Sequence, residues 1–173
     1  MSDTQELRNK LRERLLDDFR QEYADAVETW RALETKAQVS ITVGGVFLAA
    51  TFAFARDLDK LDSAQKLLLS SAIVLLVVTV LCGLAVFHVV EIQAPPLGTF
   101  AQVGVFDILK KPDGELQGYL ERFSQDQATT WRSAIEGVAA ANNRKADWVW
   151  RAQLSLVIAI TATAAFTIYR LVQ

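Results

Sequence analysis

The side chains that could do chemistry in this chain are few, and no group of them matches a catalytic motif. The sequence contains one histidine, His88, and one cysteine, Cys82. It has no glycine-rich phosphate loop, no HExxH motif and no GxSxG motif. A single cysteine excludes an internal disulfide and a cluster of thiolate metal ligands. We therefore expect a protein that is not an enzyme and that holds no metal and no cofactor.

His88 lies in the second of three apolar stretches, three residues before Glu91. The two side chains would share one face of a helix. An ionisable group inside a membrane is a candidate functional group, and this pair could relay protons in a small transporter. The alternative is a structural role, in which His88 lies close to the membrane boundary and reaches the interface.

A stripe of small and hydroxyl-bearing residues runs along the third apolar stretch with a repeat of four, at Ser155, Ala159, Thr163 and Thr167. Hydroxyl groups repeated in this way could line a narrow aqueous pore in an oligomer. Small residues four apart also allow membrane helices to pack closely. Gly45, Ala49 and Ala53 form a similar stripe in the first stretch. Pore lining and packing both remain open for the third stretch.

Four basic residues, Lys36, Arg144, Lys145 and Arg151, flank the apolar stretches. Most charged residues at such positions are solvated or paired with nearby acids. Repeated around a symmetry axis, however, these cations would form a positive ring able to hold phosphates. They are our candidate residues for binding a nucleotide or an oligonucleotide.

The elements that must position these residues are three long apolar segments. The chain has 173 residues, of which 51% are apolar, enough for one domain. Residues 37–55 and 152–169 carry no charge, and residues 67–90 carry none apart from His88. A helix needs about 20 residues to cross the hydrocarbon core of a bilayer. We predict transmembrane helices at 37–55, 67–90 and 148–173, and buried core helices are the alternative.

The distribution of lysine and arginine predicts the topology, because basic segments remain in the cytoplasm. Residues 1–36 contain seven such residues and 91–147 contain six, whereas the connection at 56–66 contains three. We therefore expect a bacterial inner-membrane protein with a cytoplasmic N-terminus and an external C-terminus. Residues 37–90 would form a transmembrane hairpin, and 91–147 a cytoplasmic loop and helices. The charged N-terminal segment does not resemble a cleaved secretory leader.

Two amphipathic segments precede the first and third spans. Apolar residues recur every three or four positions from Leu7 to Ala37, which predicts one helix that runs into the first span. A second stripe contains Trp131, Ile135, Val138, Asn142, Lys145 and Val149. These stripes should pack on each other and on neighbouring copies, with Trp30, Trp131 and Asn142 as oligomerisation residues. A polar residue such as Asn142 can set register or oligomeric state, although it could equally be an ordinary surface residue.

The remaining signals mark where helices begin and end. Asp62 and Gln65 can cap the second span. Pro95 and Pro96 are predicted to end that span, since proline cannot continue the helical hydrogen bonds. A turn at 110–114 should precede a short helix from Glu115 to about Gln125, followed by another helix from about residue 128.

Two short stretches resemble a known family. Glu34, Thr35, Lys36 and Ala37, followed by an apolar helix with Gly44 and Gly45, resemble the start of the membrane domain in antiphage effectors of the Pycsar type. The stretch from Asn142 to Ala146, which leads into the third span, is similar to the second such start. Those effectors often carry a separate ligand-binding region, and no such region is recognisable in this sequence.

By architecture, the chain also resembles the small membrane effector of the Hailong system. There, a partner nucleotidyltransferase supplies an oligonucleotide that controls a channel. These resemblances imply a toxic membrane pore that acts during phage infection.

We therefore predict an all-α membrane protein with three transmembrane helices. Its long cytoplasmic helical extensions form a crown in a homo-oligomer of about four subunits. Its predicted partners are the lipid bilayer, a cytoplasmic nucleotide or oligonucleotide, and the nucleotidyltransferase that makes it. The competing hypothesis is a non-conducting membrane scaffold that recruits a soluble partner through its cytoplasmic helices.

Overall fold

A computed structural model describes residues 3–54, 61–88 and 113–172, apart from some side chains near the helix ends. These residues form three α-helices: α1 at Asp3–Phe54, α2 at Ser63–Val86 and α3 at Asp113–Val172. The predicted all-helical fold is confirmed for these residues. The contacts divide the chain into two compact units. We call residues 30–89 and 142–173 the span unit, and residues 1–29 and 90–141 the arm unit.

Helix α1 is continuous over 52 residues, as the uninterrupted apolar stripe predicts. No proline occurs in it, and its two glycines, Gly44 and Gly45, are tolerated at a cost of about 1 kcal/mol each relative to alanine. The hydroxyls of Thr42 and Thr51 donate to the carbonyl oxygens four residues earlier, at 2.9 and 2.7 Å. These bonds satisfy the hydroxyl groups within the helix itself, so they can lie in an apolar segment.

Helix α2 begins with the predicted cap. The Asp62 carboxylate accepts a hydrogen bond from the Gln65 backbone N–H at 2.7 Å, and the Gln65 side chain accepts one from the Asp62 N–H at 3.2 Å. The helix ends at Val86, so the predicted end near residue 90, before Pro95 and Pro96, is later than the observed one. The Phe87 and His88 backbone N–H groups donate to carbonyl oxygens three residues earlier, at 3.0 and 3.2 Å, so a tighter turn ends the helix there.

Helix α3 is continuous over 60 residues. The short helix expected from Glu115 and the helix expected from residue 128 are therefore one element. No proline separates them, and Gly118 and Gly137 lie within the helix with open space where a Cβ would stand. Glycine alone lowers helix stability without ending a helix.

The span unit is held together by two apolar clusters. Ala37, Val86 and Val149, one from each helix, form the cluster that we call the boundary cluster, with Leu33 packed against it. Leu61, Leu69 and Phe166 form the second cluster, with Leu68 and Ile73 beside it. These contacts make α1 and α3 run in the same direction and α2 run opposite to both.

Glycine permits close approach of α1 and α2. A Cβ added to Gly83 would stand 2.5 Å from Ile41 Cγ1, and one added to Gly44 would stand 3.2 Å from Thr79 Cγ2. In contrast, a Cβ added to Gly45 would meet no atom within 4 Å. Gly44 and Gly83 therefore serve packing within the chain, and Gly45 faces away from it.

In the arm unit, one face of α3 is buried. Tyr23 packs edge-on against Trp131, with ring centroids 5.7 Å apart and planes at 80°. All positions of the predicted stripe on α3 are buried, namely Trp131, Ile135, Val138, Asn142, Lys145 and Val149, and Ala134 and Ala141 are buried with them. On α1 burial of the predicted stripe increases toward the C-terminal part of the helix. Leu11 and Leu15 are exposed, whereas Phe19, Tyr23 and Val27 are half-buried.

All three helices contain a stretch that is long and apolar enough to cross a membrane. Only 17% to 33% of the most apolar part of each helix is buried within the chain. Most of the apolar surface of the spans is therefore available to lipid or to other chains. The structure and the sequence together define a membrane protein with three spans.

Candidate functional site

The candidate site is a charged cluster of Glu34, Lys145 and Trp30 in the span unit, which we call the charged triad. The Lys145 ammonium group donates a hydrogen bond to Glu34 Oε1 and forms a salt bridge with it. The Trp30 indole N–H donates to the same oxygen at 2.7 Å. The Lys145 Nζ also lies 3.4 Å from the centroid of the Trp30 ring. One carboxylate and one aromatic face thus surround the cation.

Burial differs sharply between the two charged partners. The Lys145 side chain is 4% exposed, whereas the Glu34 side chain is 34% exposed. A buried ammonium group is costly unless a counter-charge and hydrogen-bond acceptors compensate for the lost water. Glu34 supplies the charge, and the Trp30 ring adds a cation–π contact. These two residues therefore compensate for burying the charge of Lys145.

The local helix geometry brings the three residues together. Trp30 and Glu34 are four apart on α1, so they share a face. On α3, Lys145 belongs to the buried stripe, and Val149 follows four residues later. Because Ala37 and Val149 meet in the boundary cluster, the charged triad lies one turn before that apolar contact along both helices. The triad is thus the polar end of the α1–α3 contact in the span unit.

The four predicted phosphate-binding residues differ in burial. Lys145 is buried in the charged triad, whereas Lys36, Arg144 and Arg151 are exposed. The Arg151 guanidinium carbon lies 4.9 Å from the centroid of the Trp148 ring. Three of the four predicted residues are thus accessible to a soluble anion, and Lys145 already has an internal carboxylate partner. Nucleotide binding by these residues stays a prediction.

The four predicted pore-lining residues also fall into two groups. Ser155 and Ala159 are buried, Thr163 is half-buried and Thr167 is exposed. The Ser155 and Thr79 hydroxyls are hydrogen-bonded at 2.8 Å. Burial of Ser155 and Ala159 favours the packing alternative for those two positions. Pore lining stays a prediction, with Thr163 and Thr167 as the accessible candidates.

The predicted oligomerisation residues make contacts within the chain. Trp30 belongs to the charged triad, and Trp131 packs on Tyr23. Asn142 is 8% exposed, three residues before Lys145 on the buried stripe of α3. Their role in contacts between copies stays a prediction.

His88 is exposed just after the end of α2, and Glu91 lies outside the described residues.

An exposed ion pair on α3 provides a contrast to the charged triad. Arg132 Nε donates to Glu136 Oε1 at 2.8 Å, four residues apart on the same helix, with both side chains largely exposed. The hydrogen bond from Arg132 to Glu136 raises the pKa of Arg132. Such exposed pairs contribute little to stability.

Within residues 3–54, 61–88 and 113–172, no group of three or more His, Cys, Asp and Glu side chains could hold a metal ion.

Three helices that are long and apolar enough to cross a membrane define an all-helical membrane protein rather than a soluble helical bundle. A comparison with protein-family models matches residues 5–171 to the Pycsar effector protein domain. The chain therefore belongs to this family and is a membrane effector of antiphage defence. Comparisons with curated proteins and with solved structures gave no significant match.

Proposed function

We propose that this protein assembles into a homo-oligomer that forms an ion channel or pore in the bacterial inner membrane. In this proposal a cytoplasmic nucleotide or oligonucleotide gates the channel during phage infection, and a partner nucleotidyltransferase makes that ligand. The N-terminus and the arm unit lie in the cytoplasm, and the C-terminus lies outside. Family membership supports the antiphage role, and the remaining steps rest on the arguments below.

The observation that carries assembly is a free small-residue stripe on α1. Gly45, Ala49 and Ala53 are all exposed, at a spacing of four residues. The other small residues of this contact region, Gly44 and Gly83, are already in close contact within the chain. Small residues four apart allow a second membrane helix to approach the backbone closely. We therefore place the contact between copies on this stripe.

Conduction requires several copies, because the interior of one span unit is occupied by side chains. Thr79, Ser155 and Ala159 are buried against neighbouring helices, and the hydroxyls of Thr79 and Ser155 bond to each other. A water-filled path would form between copies, where Thr163 and Thr167 are the accessible hydroxyl-bearing residues of α3. Lys36, Arg144 and Arg151 would present exposed positive charge to the phosphates of the ligand.

The experiment is expression of the full chain in bacteria with a voltage-sensitive dye, followed by bilayer recordings of purified protein. We expect depolarisation in cells that also make the ligand, and ion currents from the oligomer when cyclic mono- and oligonucleotides are added. Replacing Thr167 with tryptophan should suppress both. Purified oligomer that carries no current with any nucleotide would contradict the channel and favour the membrane scaffold.

A further inference from the structure

We propose that the charged triad is a latch: the Glu34 carboxylate holds Lys145 inside the α1–α3 contact, and opening of this contact requires Lys145 to leave Glu34. This inference rests on the proposed function only for its physiological trigger. In that setting a ligand phosphate takes the place of the Glu34 carboxylate beside Lys145. The latch itself is a property of the closed chain and can be tested without any ligand.

The asymmetry of burial carries the argument. Lys145 is almost completely buried, and Glu34 is the partly exposed member of the pair. Glu34 is therefore the member of the pair that an anion from water can reach and displace. Once the carboxylate is displaced or neutralised, the Trp30 ring is what remains of the charged triad beside the ammonium group, and it carries no counter-charge. A buried charge without a counter-charge favours any conformation that returns it to water.

A purely stabilising contact would not require charges at this position. The residues that follow on the same interface, Ala37, Val86 and Val149, hold the three helices together with apolar contacts alone. Apolar residues of similar volume replace buried ion pairs with little loss of stability, and often with a gain. With the ion pair, the α1–α3 contact stays closed only while the Glu34 carboxylate neutralises Lys145. An apolar pair would not impose this requirement.

The latch makes an asymmetric prediction for the two charged residues. Glu34→Gln removes the counter-charge and leaves Lys145 charged, so the contact should open. Lys145→Met removes the buried charge and keeps an unbranched side chain of similar length, so the contact should stay closed. The double variant Glu34→Gln with Lys145→Met should be closed as well. If the pair were simply a stabilising bond, breaking it from either side would loosen the contact.

Opening can be measured by the accessibility of a cysteine in the boundary cluster. Val149→Cys, in a chain with Cys82→Ala, places one thiol at a position that is 4% exposed. Membranes that contain the full chain are treated with a water-soluble maleimide, and the labelling rate is measured. We expect Glu34→Gln to raise this rate about tenfold or more, as loss of about 1.4 kcal/mol or more of closing free energy would do. Lys145→Met and the double variant should label at the parent rate.

Glu136→Gln is the matched control, because it makes the same chemical change in the exposed pair with Arg132. It should leave the labelling rate unchanged. Restored protection in the double variant shows that glutamine at position 34 is compatible with folding. Unchanged labelling in Glu34→Gln, or raised labelling in Lys145→Met, would overturn the latch.

Voltage-sensitive dye in the same cells separates the latch from the proposed channel. A Glu34→Gln chain that opens and depolarises the cells supports both. A chain that opens without depolarisation supports the latch and contradicts the channel. Lys145→Met should prevent depolarisation under all ligand conditions, because its closed contact no longer depends on Glu34.

Discussion

The hydrogen bond between Thr79 and Ser155 shows how polar residues serve packing inside the spans. Both hydroxyls also lie within hydrogen-bond distance of carbonyl oxygens of their own helices, at 2.9 Å for Thr79 and 3.0 Å for Ser155. Because each hydroxyl has one proton, the one that donates across the 2.8 Å interhelical contact does so in place of the bond to its own helix, and the other hydroxyl accepts. Interhelical hydrogen bonds in membrane proteins contribute modestly to stability, because the hydroxyls also find hydrogen-bond partners when the helices are apart.

We predict that Thr79→Val and Ser155→Ala are each mildly destabilising and are coupled to each other. A double-mutant cycle on the free energy of unfolding in detergent micelles should give an interaction of about 0.6 kcal/mol. Thr161→Val is the control, since Thr161 is exposed and bonds only to the carbonyl of Val157 among the interactions described. An interaction energy of zero would mean that the two helices are not in contact through these hydroxyls.

Gly83 is the residue at which added volume should be least tolerated. Its missing Cβ would stand 2.5 Å from Ile41 Cγ1 and 3.5 Å from the Ala37 carbonyl oxygen. We expect Gly83→Ala to destabilise the fold by about 1–3 kcal/mol, the usual range for overpacking. Gly137→Ala, where the added methyl group meets no atom within 4 Å and lies away from the proposed contact between copies, should be neutral or slightly stabilising in the same unfolding measurement. Equal effects at the two positions would refute this contact.

Part of the residue-level site was predictable, and its central contact was not. The periodicity of α3 predicted the buried face that includes Lys145, and the resemblance drew attention to Glu34. Their pairing joins residues 111 positions apart, and no local rule predicts which turn of α1 faces which turn of α3. The relevant signal was a lysine on a stripe that is apolar apart from Asn142, since a buried cation requires an acid nearby.

At the scale of elements, the residue that caps α2 also joins the start of α2 to the end of α3. Asp62 accepts the Gln65 N–H, and the Tyr169 hydroxyl near the end of α3 donates to the other Asp62 oxygen at 3.2 Å. The capping pair was predicted because both residues are local. The bond to Tyr169 was not, because it depends on the packing of α3 against α2.

Asp62→Ala should destabilise the span unit by about 1 kcal/mol, the usual cost of losing an N-cap. Asp62→Asn keeps an acceptor for the Gln65 N–H and should cost clearly less. Thermal unfolding of the detergent-solubilised chain would measure both. Tyr169→Phe removes the hydroxyl that donates to Asp62 and leaves the Gln65 N–H bond of the cap in place, which separates the two contributions. An Asp62→Ala chain as stable as the parent would show that the cap contributes nothing.

The helix boundaries show where pattern reasoning fails. The length of α1 followed from an uninterrupted stripe, whereas α3 was divided because its early residues lack a clear apolar repeat. Helix formation there needs only the absence of proline and continuity with a stable segment, since propagation is easier than nucleation. The end of α2 at Val86 precedes the prolines that were expected to end it.

At the scale of the whole molecule, the exposed apolar surface of the spans is large for one chain. Lipid can cover most of it, so exposure alone does not predict assembly. The stripe of Gly45, Ala49 and Ala53 is more specific, because it offers close backbone approach. Sequence reasoning identified this stripe. It did not predict that the stripe faces away from the rest of the chain, because that depends on how α1 packs against α2.

We predict that Gly45→Leu disrupts the oligomer. The bulky side chain would fill the open space beside α1 and keep a second helix away from the backbone. Gly137→Leu is the matched control, since Gly137 also has open space beside it but lies in the arm unit. Native mass spectrometry should show a smaller assembly for Gly45→Leu alone. An unchanged oligomer would place the contact between copies on a different surface.

The distance in sequence between Glu34 and Lys145 also has a consequence for biosynthesis. Glu34 leaves the ribosome 111 residues before its partner does. The first two spans are therefore inserted while that carboxylate still lacks its lysine. The contact between α1 and α3 can close only after the last span has been translated, so a truncated nascent chain is never latched.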